Sequence, residues 1–421
     1  MKLLAPENAN YAAVVVSIKN IIPLEGCDNV VGIPLLGFQA IVSKDSKPGD
    51  LGIVFPAETQ LSEEYARLNN LHRHGNLNQD EGAKGYLEDN RRVKAMKFRG
   101  HRSDCLFMPL TSLQYIKKLD LSLFNEGDTF DKIGDNEICC KYVVKRPRSQ
   151  VRIEKNKDRF IRVDKKFLPE HYDTDNYFRN MHIIPEAREV IVTQKLHGTS
   201  IRIGNTYVAR KLNILDNLAK RLGIAVKEQE LDYVFGSRKV IKDVNNPNQN
   251  HFYSTDIWTE EGRKLEGLVP EGYILYGELV GWTPEGSPLQ KHYTYNVPVG
   301  TCDLFIYRVA HINPQGLVTD LSHDQMAEFC RDRNLRTVPV LWRGKYADFK
   351  VEDFLDRRFH EEGYPGAVPL DKESPVDEGV CIRLDGLAPY ILKAKGEKFY
   401  EHESKMLDEE ALDTEAEGSE I

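Results

Sequence analysis

No stretch of this 421-residue chain is apolar for long enough to span a bilayer. The opening MKLLAPENANY lacks the apolar core of a secretory leader. A membrane partner is therefore not expected, and a cytoplasmic, intracellular setting is, compatible with a phage- or virus-encoded source. The seven cysteines, Cys27, Cys105, Cys139, Cys140, Cys302, Cys330 and Cys381, are odd in number and scattered, without a C-x-x-C pair. That argues against a disulfide framework and a zinc site and suggests a reducing compartment. No repeat of about 20–50 residues recurs, which excludes a solenoid. What remains is an ordinary globular composition, 41% hydrophobic and 29% charged, with length for two or three domains.

The net charge of −8 by itself argues against nucleic acid, but its distribution reverses the argument. Residues 401–421 hold nine Asp/Glu and one Lys, so the other four hundred residues sum to zero. This tail reads as a helix end followed by a disordered segment. Residues 141–166, KYVVKRPRSQVRIEKNKDRFIRVDKK, hold eleven Lys/Arg against three Asp/Glu. Such a strip is either a solvated basic linker or an electrostatic footprint for phosphates.

The first 140 residues are rich in short β-branched runs (YAAVVVSIKNI, VVGIPLLGFQAIVS, GDLGIVFPA, RRVKAMKFRG, CLFMPL) punctuated by Gly, Asp, Asn and Pro. About five strands in that span predict a small barrel of the OB type. From residue 188 strands return: EVIVTQKL, TSIRIGNTYVARK, YVFGSRKVI, GYILYGELVGW, GTCDLFIYRVAHI, then GVCIRLDG and APYILKAK as a hairpin. Gly204-Asn205 is a candidate tight turn within the second of these. Helical spacing marks LNILDNLAKRLGIAVKEQELDY, interrupted by β-branched residues, FYSTDIWTEEGRKLEGLVP, ended by Gly and Pro, and SHDQMAEFCRDRNL, with Ser322 at the N-cap position. The expected fold is α+β: an OB-like barrel over 1–140, a basic linker over 141–174, a domain of antiparallel sheets and helices over 175–400, and the acidic tail.

Several strand residues carry chemistry. Lys195 stands where a strand enters a Gly turn. Glu278 lies inside the apolar strand YGELVG. Phe305 and Tyr307, two apart, share one strand face, and so do Lys393 and Lys395. Glu378 precedes Gly379 at a strand start. Singly, each has an ordinary explanation: a strand acid faces solvent, alternating aromatics fill a core, a KxK pair lies on an edge. Together they supply a plane for a base, cations for phosphates and carboxylates for a divalent metal.

In this order the segments resemble the covalent nucleotidyltransferase superfamily of ligases and capping enzymes. KLHG is similar to its motif I, GSRK with Arg238 to the basic motif, YGELVG to motif III, and DLFIYRV to the aromatic motif IIIa. DEGVCIR resembles motif IV and LKAK motif V. His197 followed by Thr-Ser is the RNA-ligase form of motif I, where DNA ligases and capping enzymes generally carry Asp. PLQKHYTY resembles a segment that RNA ligases place between motifs III and IIIa. The front part resembles the N-terminal OB-type domain of one RNA ligase group. Only 26 residues follow Lys395, too few for the C-terminal OB domain of capping enzymes and DNA ligases.

The resemblance implies an ATP-dependent RNA ligase using Mg²⁺ or Mn²⁺. Lys195 would be the nucleophile. Gln194, Leu196 and Gly198 would line the nucleotide beside it, and Tyr307, with Phe305 in reserve, would stack on adenine. Arg238 and Arg202 would reach ribose or phosphate, with Arg210 a rival for that role. Glu278 and Glu378 would serve ribose and metal, and Lys393 and Lys395 would grip the α-phosphate. His197 would orient. The implied partner is RNA with 5′-phosphate and 3′-OH ends, as nicks in a duplex. The rivals are a DNA ligase, a capping-type guanylyltransferase, and a non-catalytic RNA-binding protein on an inactive transferase fold.

Overall fold

The computed structural model describes residues 3–144, 161–243, 249 and 252–409. Most of the basic strip (145–160) and the last acidic residues (410–421) lie outside the described residues. The chain forms two compact units. The first joins Met1–Val144 to Asp175–Ile183 and Ala394–Ala411; the second joins Lys145–Thr174, Ile184–Lys393 and Leu412–Ile421. Both units are discontinuous in sequence, whereas the sequence reading divides the chain at 140, 174 and 400.

In the first unit the run Ala13–Ser17 pairs antiparallel with Leu51–Pro56 on one side and Thr129–Phe130 on the other. Leu51–Pro56 pairs in turn with Cys105–Pro109. The unbroken valines of the first strand are explained by burial on both faces. Ala13 and Val15 pack with Ile53, Phe55, Tyr65 and Phe130, whereas Val14 and Val16 pack with Ile33, Phe38 and Val54. A three-stranded sheet (Ile22–Pro23, Val30–Leu35, Phe38–Ser43) and shorter strand pairs complete the unit. The fold is mixed α/β and mostly sheet, but its sheets do not close into a barrel among the described residues. The strand count predicted from sequence was too low, and closure was inferred from spacing that carries no information about which strands pair.

A helix spans Glu397–Asp408, so the acidic segment from residue 401 begins as ordered structure. Arg92 draws it in: its buried guanidinium donates to the Ser404 carbonyl at 2.6 Å and pairs with Glu58 at 3.0 Å. The Ser404 hydroxyl donates to Glu58 at 2.5 Å and accepts from the Ala95 backbone N–H at 2.9 Å. Lys94 and Lys97 reach Asp408 and Glu401 at 2.8 and 3.1 Å. These acids are thus spent on cations of the first unit instead of on solvent.

The second unit holds two antiparallel sheets. Its strands, in chain order, are β1 (Glu189–Gln194), β2 (Thr199–Ala209), β3 (Gln229–Gly236), β4 (Tyr273–Gly281), β5 (Cys302–Ile312), β6 (Val318–Asp320), β7 (Val340–Lys345), β8 (Gly379–Leu384) and β9 (Tyr390–Lys395). One sheet contains β9, β8, β1 and β7 as neighbours in that order, and the other runs β3-β2-β4-β5-β6. Gly204-Asn205 does not turn. It lies mid-strand in β2, Gly204 paired with Val234 on one side and Ile274 on the other. Ladders on both flanks override the local turn preference. Helices α1 (Ile214–Arg221), α2 (Ile257–Arg263) and α3 (His323–Arg331) form within the segments of helical spacing, but the first segment is helical only in its front part, and its end, from Gln229, belongs to β3, where pairing with β2 overrides the spacing. Ser322 caps α3 in a capping box with Gln325. Ile257, Trp258, Met326 and Phe329 from α2 and α3 cover one face of the larger sheet through Ile201, Ile203, Leu275, Leu279 and Ile306. The alternate residues of the same strands are left for the opposite face. No helix among the described residues is long and apolar enough to cross a membrane.

Candidate functional site

β1 lies between β7 and β8, and its last pair is Gln194 with Val380. Lys195 follows, its backbone N–H donating to the Gly379 carbonyl at 3.0 Å. Gly379 has φ 136°, a conformation essentially reserved for glycine. There the chain turns into β8 with Glu378 next to Lys195: Lys195 Nζ meets Glu378 Oε2 at 2.8 Å, and His197 Nδ1 is 3.6 Å from the same oxygen. Glu378 is buried and Lys195 is only slightly exposed. Adjoining Asp377 backs this turn. It accepts from Gln194 Nε2 at 2.7 Å and from the Phe359 N–H at 2.8 Å. Burial pushes the Asp377 carboxyl up to about 6, against those hydrogen bonds.

The Gly turn after Lys195 is clamped to the larger sheet. Glu278 on β4 accepts from the Gly198 N–H at 3.1 Å and from Ser200 Oγ at 3.2 Å. A Cβ on Gly198 would lie 2.1 Å from the Leu279 carbonyl oxygen, so only glycine permits this approach. Gln290 Nε2 donates to the Gly198 carbonyl at 2.9 Å, and Tyr295 Oη accepts from the His197 N–H at 2.7 Å. The His197 ring meets Tyr293 edge-on, centroids 5.0 Å apart. PLQKHYTY thus supplies three side chains that hold the loop after the lysine.

Across the sheet, Ser200, Glu278 and Phe305 stand abreast on β2, β4 and β5, on the face not covered by helices. Next on β5 is a bulge: Tyr276 pairs with Arg308 and Gly277 with Ile306, so Tyr307 is the extra residue. Phe305 is 6% exposed with the Arg336 guanidinium 4.9 Å from its ring centre. Tyr307 is half-buried, its hydroxyl 2.5 Å from His171 Nδ1. Burial and the nearby Glu278 charge push its phenol up, so it is neutral.

The remaining predicted residues separate into two groups. Arg238 follows β3, pairs with exposed Asp173 at 2.8 Å and acts electrostatically on Tyr307 and His171. Lys393 joins Lys195, Glu378 and Glu278 as charges felt by the Cys381 thiol on β8, which burial pushes up to about 11. These residues converge. Other predicted residues are engaged elsewhere. Arg202 is 1% exposed and donates to the Ser237 and Leu168 carbonyls at 2.7 and 2.6 Å, a scaffold contact beneath the Arg238 turn. Arg210 sits at the base of the loop between β2 and β3, paired with Asp216 at 3.0 Å. Lys395 counts with the first unit, where its ammonium pairs with Glu403 at 3.1 Å. The Gln194 side chain is consumed by Asp377 and Val368, leaving its backbone as what it can offer a ligand. Leu196 is buried beside the nucleophile position.

Glu278 and Glu378 offer carboxylate oxygens, the ligand type preferred by hard divalent cations. No group of three or more His, Cys, Asp or Glu side chains among the described residues could hold a metal alone. A cation here would therefore share its shell with a ligand's phosphates, as Mg²⁺ commonly does. Sequence reasoning missed His171, Ser200 and Asp377. Asp377 was visible only as the residue before Glu378, and His171 only as part of a polar bridge.

A family model described as RNA ligase matches residues 188–395. Among solved structures, Naegleria gruberi RNA ligase with PPi is 16% identical, with 94% of this chain and 99% of that chain covered at a TM-score of 0.60. An apo mutant of that ligase gives 16%, the same coverage and 0.59. A mutant with ATP and Mn gives 16%, the same coverage and 0.57. At such identity these likenesses speak to the fold. No curated protein matches the chain.

Proposed function

We propose that this chain, whose residues 188–395 belong to the RNA ligase family, uses ATP to join a 5′-phosphate RNA end to a 3′-OH end through lysyl-AMP on Lys195. The observation that carries the reading is the enclosed Lys195–Glu378 ion pair, 2.8 Å long, in a loop clamped by Glu278. A surface lysine before a turn needs neither. The Naegleria ligase structure with ATP and Mn supports the same pair of small partners for this fold.

In the first step Lys195 Nζ attacks the α-phosphorus, a P–N bond forms and pyrophosphate leaves. The amine must first lose a proton. Glu378 holds the ammonium in the resting site, so engaging Glu378 elsewhere removes what keeps Lys195 charged. A divalent cation, when bound, neutralises phosphate and carboxylate charge. Tyr307 offers the stacking plane for adenine, Arg238 exchanges Asp173 for ribose or phosphate, and Lys393 faces the α-phosphate. Lys395 would have to leave Glu403 to join it. AMP then passes from Lys195 to the RNA 5′-phosphate. Last, a 3′-OH attacks that phosphate, forming the phosphodiester and releasing AMP. The RNA-type His197 and the basic strip 141–166 favour RNA, read through phosphate and shape as nicks in a duplex. The N-terminal unit is the proposed RNA-binding module.

The test is incubation with α-labelled ATP or GTP. Acid-labile, alkali-stable label on the protein from ATP, absent in Lys195→Ala, is expected, as a lysine P–N bond requires. Label from GTP alone, or unchanged nick sealing by Lys195→Ala, would overturn the reading.

A further inference from the structure

Residues 167–173 arrive at the site face of the larger sheet from outside every motif discussed above. Phe167 and Leu168 are buried against Val208, Val234, Ile274, Tyr276 and Ile312. The carbonyl of Leu168 accepts from Arg202 and that of Pro169 from Tyr276 Oη at 3.2 Å. With the chain pinned there, the next residues engage the sheet in turn. His171 Nδ1 lies 2.5 Å from Tyr307 Oη, its ring edge-on to Tyr276 at 5.1 Å. The Tyr172 ring covers Arg308 at 3.7 Å while its hydroxyl donates to Asp320 at 2.9 Å. Asp173 holds Arg238 at 2.8 Å.

Tyr307 needs such support. As the extra residue of a bulge it has no partner directly across the ladder to set its ring. The hydroxyl contact with His171 fixes the ring at its far end. Burial and the nearby Arg202, Arg238 and Arg308 hold the imidazole well below its usual range, so it stays neutral. The contact is then a neutral hydrogen bond that persists across working pH.

We propose that His171 is a positioning residue of the nucleotide site, fixing through Tyr307 Oη the plane on which the adenine stacks. The proposal rests on the reading of Tyr307 as the stacking ring. His171 acts on affinity and base choice, and takes no part in bond making.

The experiment follows lysyl-AMP formation by the full chain in single turnovers across an ATP titration. His171→Ala is expected to raise KM for ATP about tenfold, the equivalent of one neutral hydrogen bond at about 1.4 kcal/mol. KM should change more than the saturating rate. His171→Asn, which keeps a polar group near the same place, should recover most of the loss. In a Tyr307→Phe background His171→Ala should add nothing, because the hydroxyl it held is gone. A merely structural role would add in the double variant and would lower the rate and the thermal midpoint together. Should His171→Ala fail to fold, Tyr307→Phe removes the same bond from its other end, together with the contact to Ser200, and must raise KM at least as much. An unchanged KM in Tyr307→Phe, or full additivity, overturns the proposal. An unchanged KM in Tyr307→Ala would instead overturn the stacking reading beneath it.

Discussion

Replacing Glu278 by alanine and by glutamine separates two jobs that one carboxylate could do. Its oxygens accept from Gly198 N–H at 3.1 Å and from Ser200 Oγ at 3.2 Å, tying the loop after Lys195 to β4. A hydrogen bond to a charged group contributes roughly 1.5–3 kcal/mol. Both bonds here are long and Glu278 is partly exposed, so about 1 kcal/mol each is the better figure. Glu278→Ala should therefore lower stability by about 2 kcal/mol. If that loss is expressed in the placement of Lys195, lysyl-AMP formation slows about thirtyfold. Glutamine keeps both contacts. Its carbonyl accepts from Gly198, and its amide donates to Ser200 Oγ, whose hydroxyl rotates away. Glu278→Gln should hold stability within about 0.5 kcal/mol of the parent, so its remaining rate defect measures the charge alone. Urea denaturation and single-turnover labelling in parallel supply both numbers. An alanine variant with full stability and full rate, or a glutamine variant as unstable as alanine, would refute the clamp.

Other expectations follow from buried groups. Arg202→Met leaves the Ser237 and Leu168 carbonyls unsatisfied and should cost about 2–4 kcal/mol in urea denaturation; a loss below about 1 kcal/mol would return Arg202 to the nucleotide-binding candidates. Burial raises the Glu58 carboxyl from 4.5 to about 7, although Arg92 opposes the rise. The folded state thus binds this proton more tightly. Its contribution is full below about pH 4.5 and fades as pH rises through about 7, by at most ~3 kcal/mol. Glu58→Gln should flatten that part of the stability–pH curve; an unchanged slope would show that the carboxyl titrates normally.

Much of the larger sheet was legible because strand signals are local. Strand signals in YGELVG and DLFIYRV placed Glu278 and Phe305 each inside a strand, and the ladder sets them directly opposite each other. Ser322 and the helical spacing after it announced α3, and the structure adds Gln325 as the other half of a capping box. Closure of the front strands was not legible. Burial on both faces of Ala13–Ser17 is visible in its valines, but the identity of the neighbours is not.

The sequence by itself determined the residue types of the site and their order along the chain: a lysine before a Gly turn, two strand acids, a paired aromatic and a KxK. Only the tertiary structure decided which of them meet. Arg202, Arg210 and Arg238 are equivalent as letters. Two of them end on the Leu168 and Ser237 carbonyls and on Asp216, and one stands beside Tyr307. Lys195 reaches Glu378 across 183 positions, and Arg92 reaches Ser404 across 312. Local propensity holds no record of such partners. Long-range packing selects them, because each buried polar group must find one and only the assembled sheets bring it within reach.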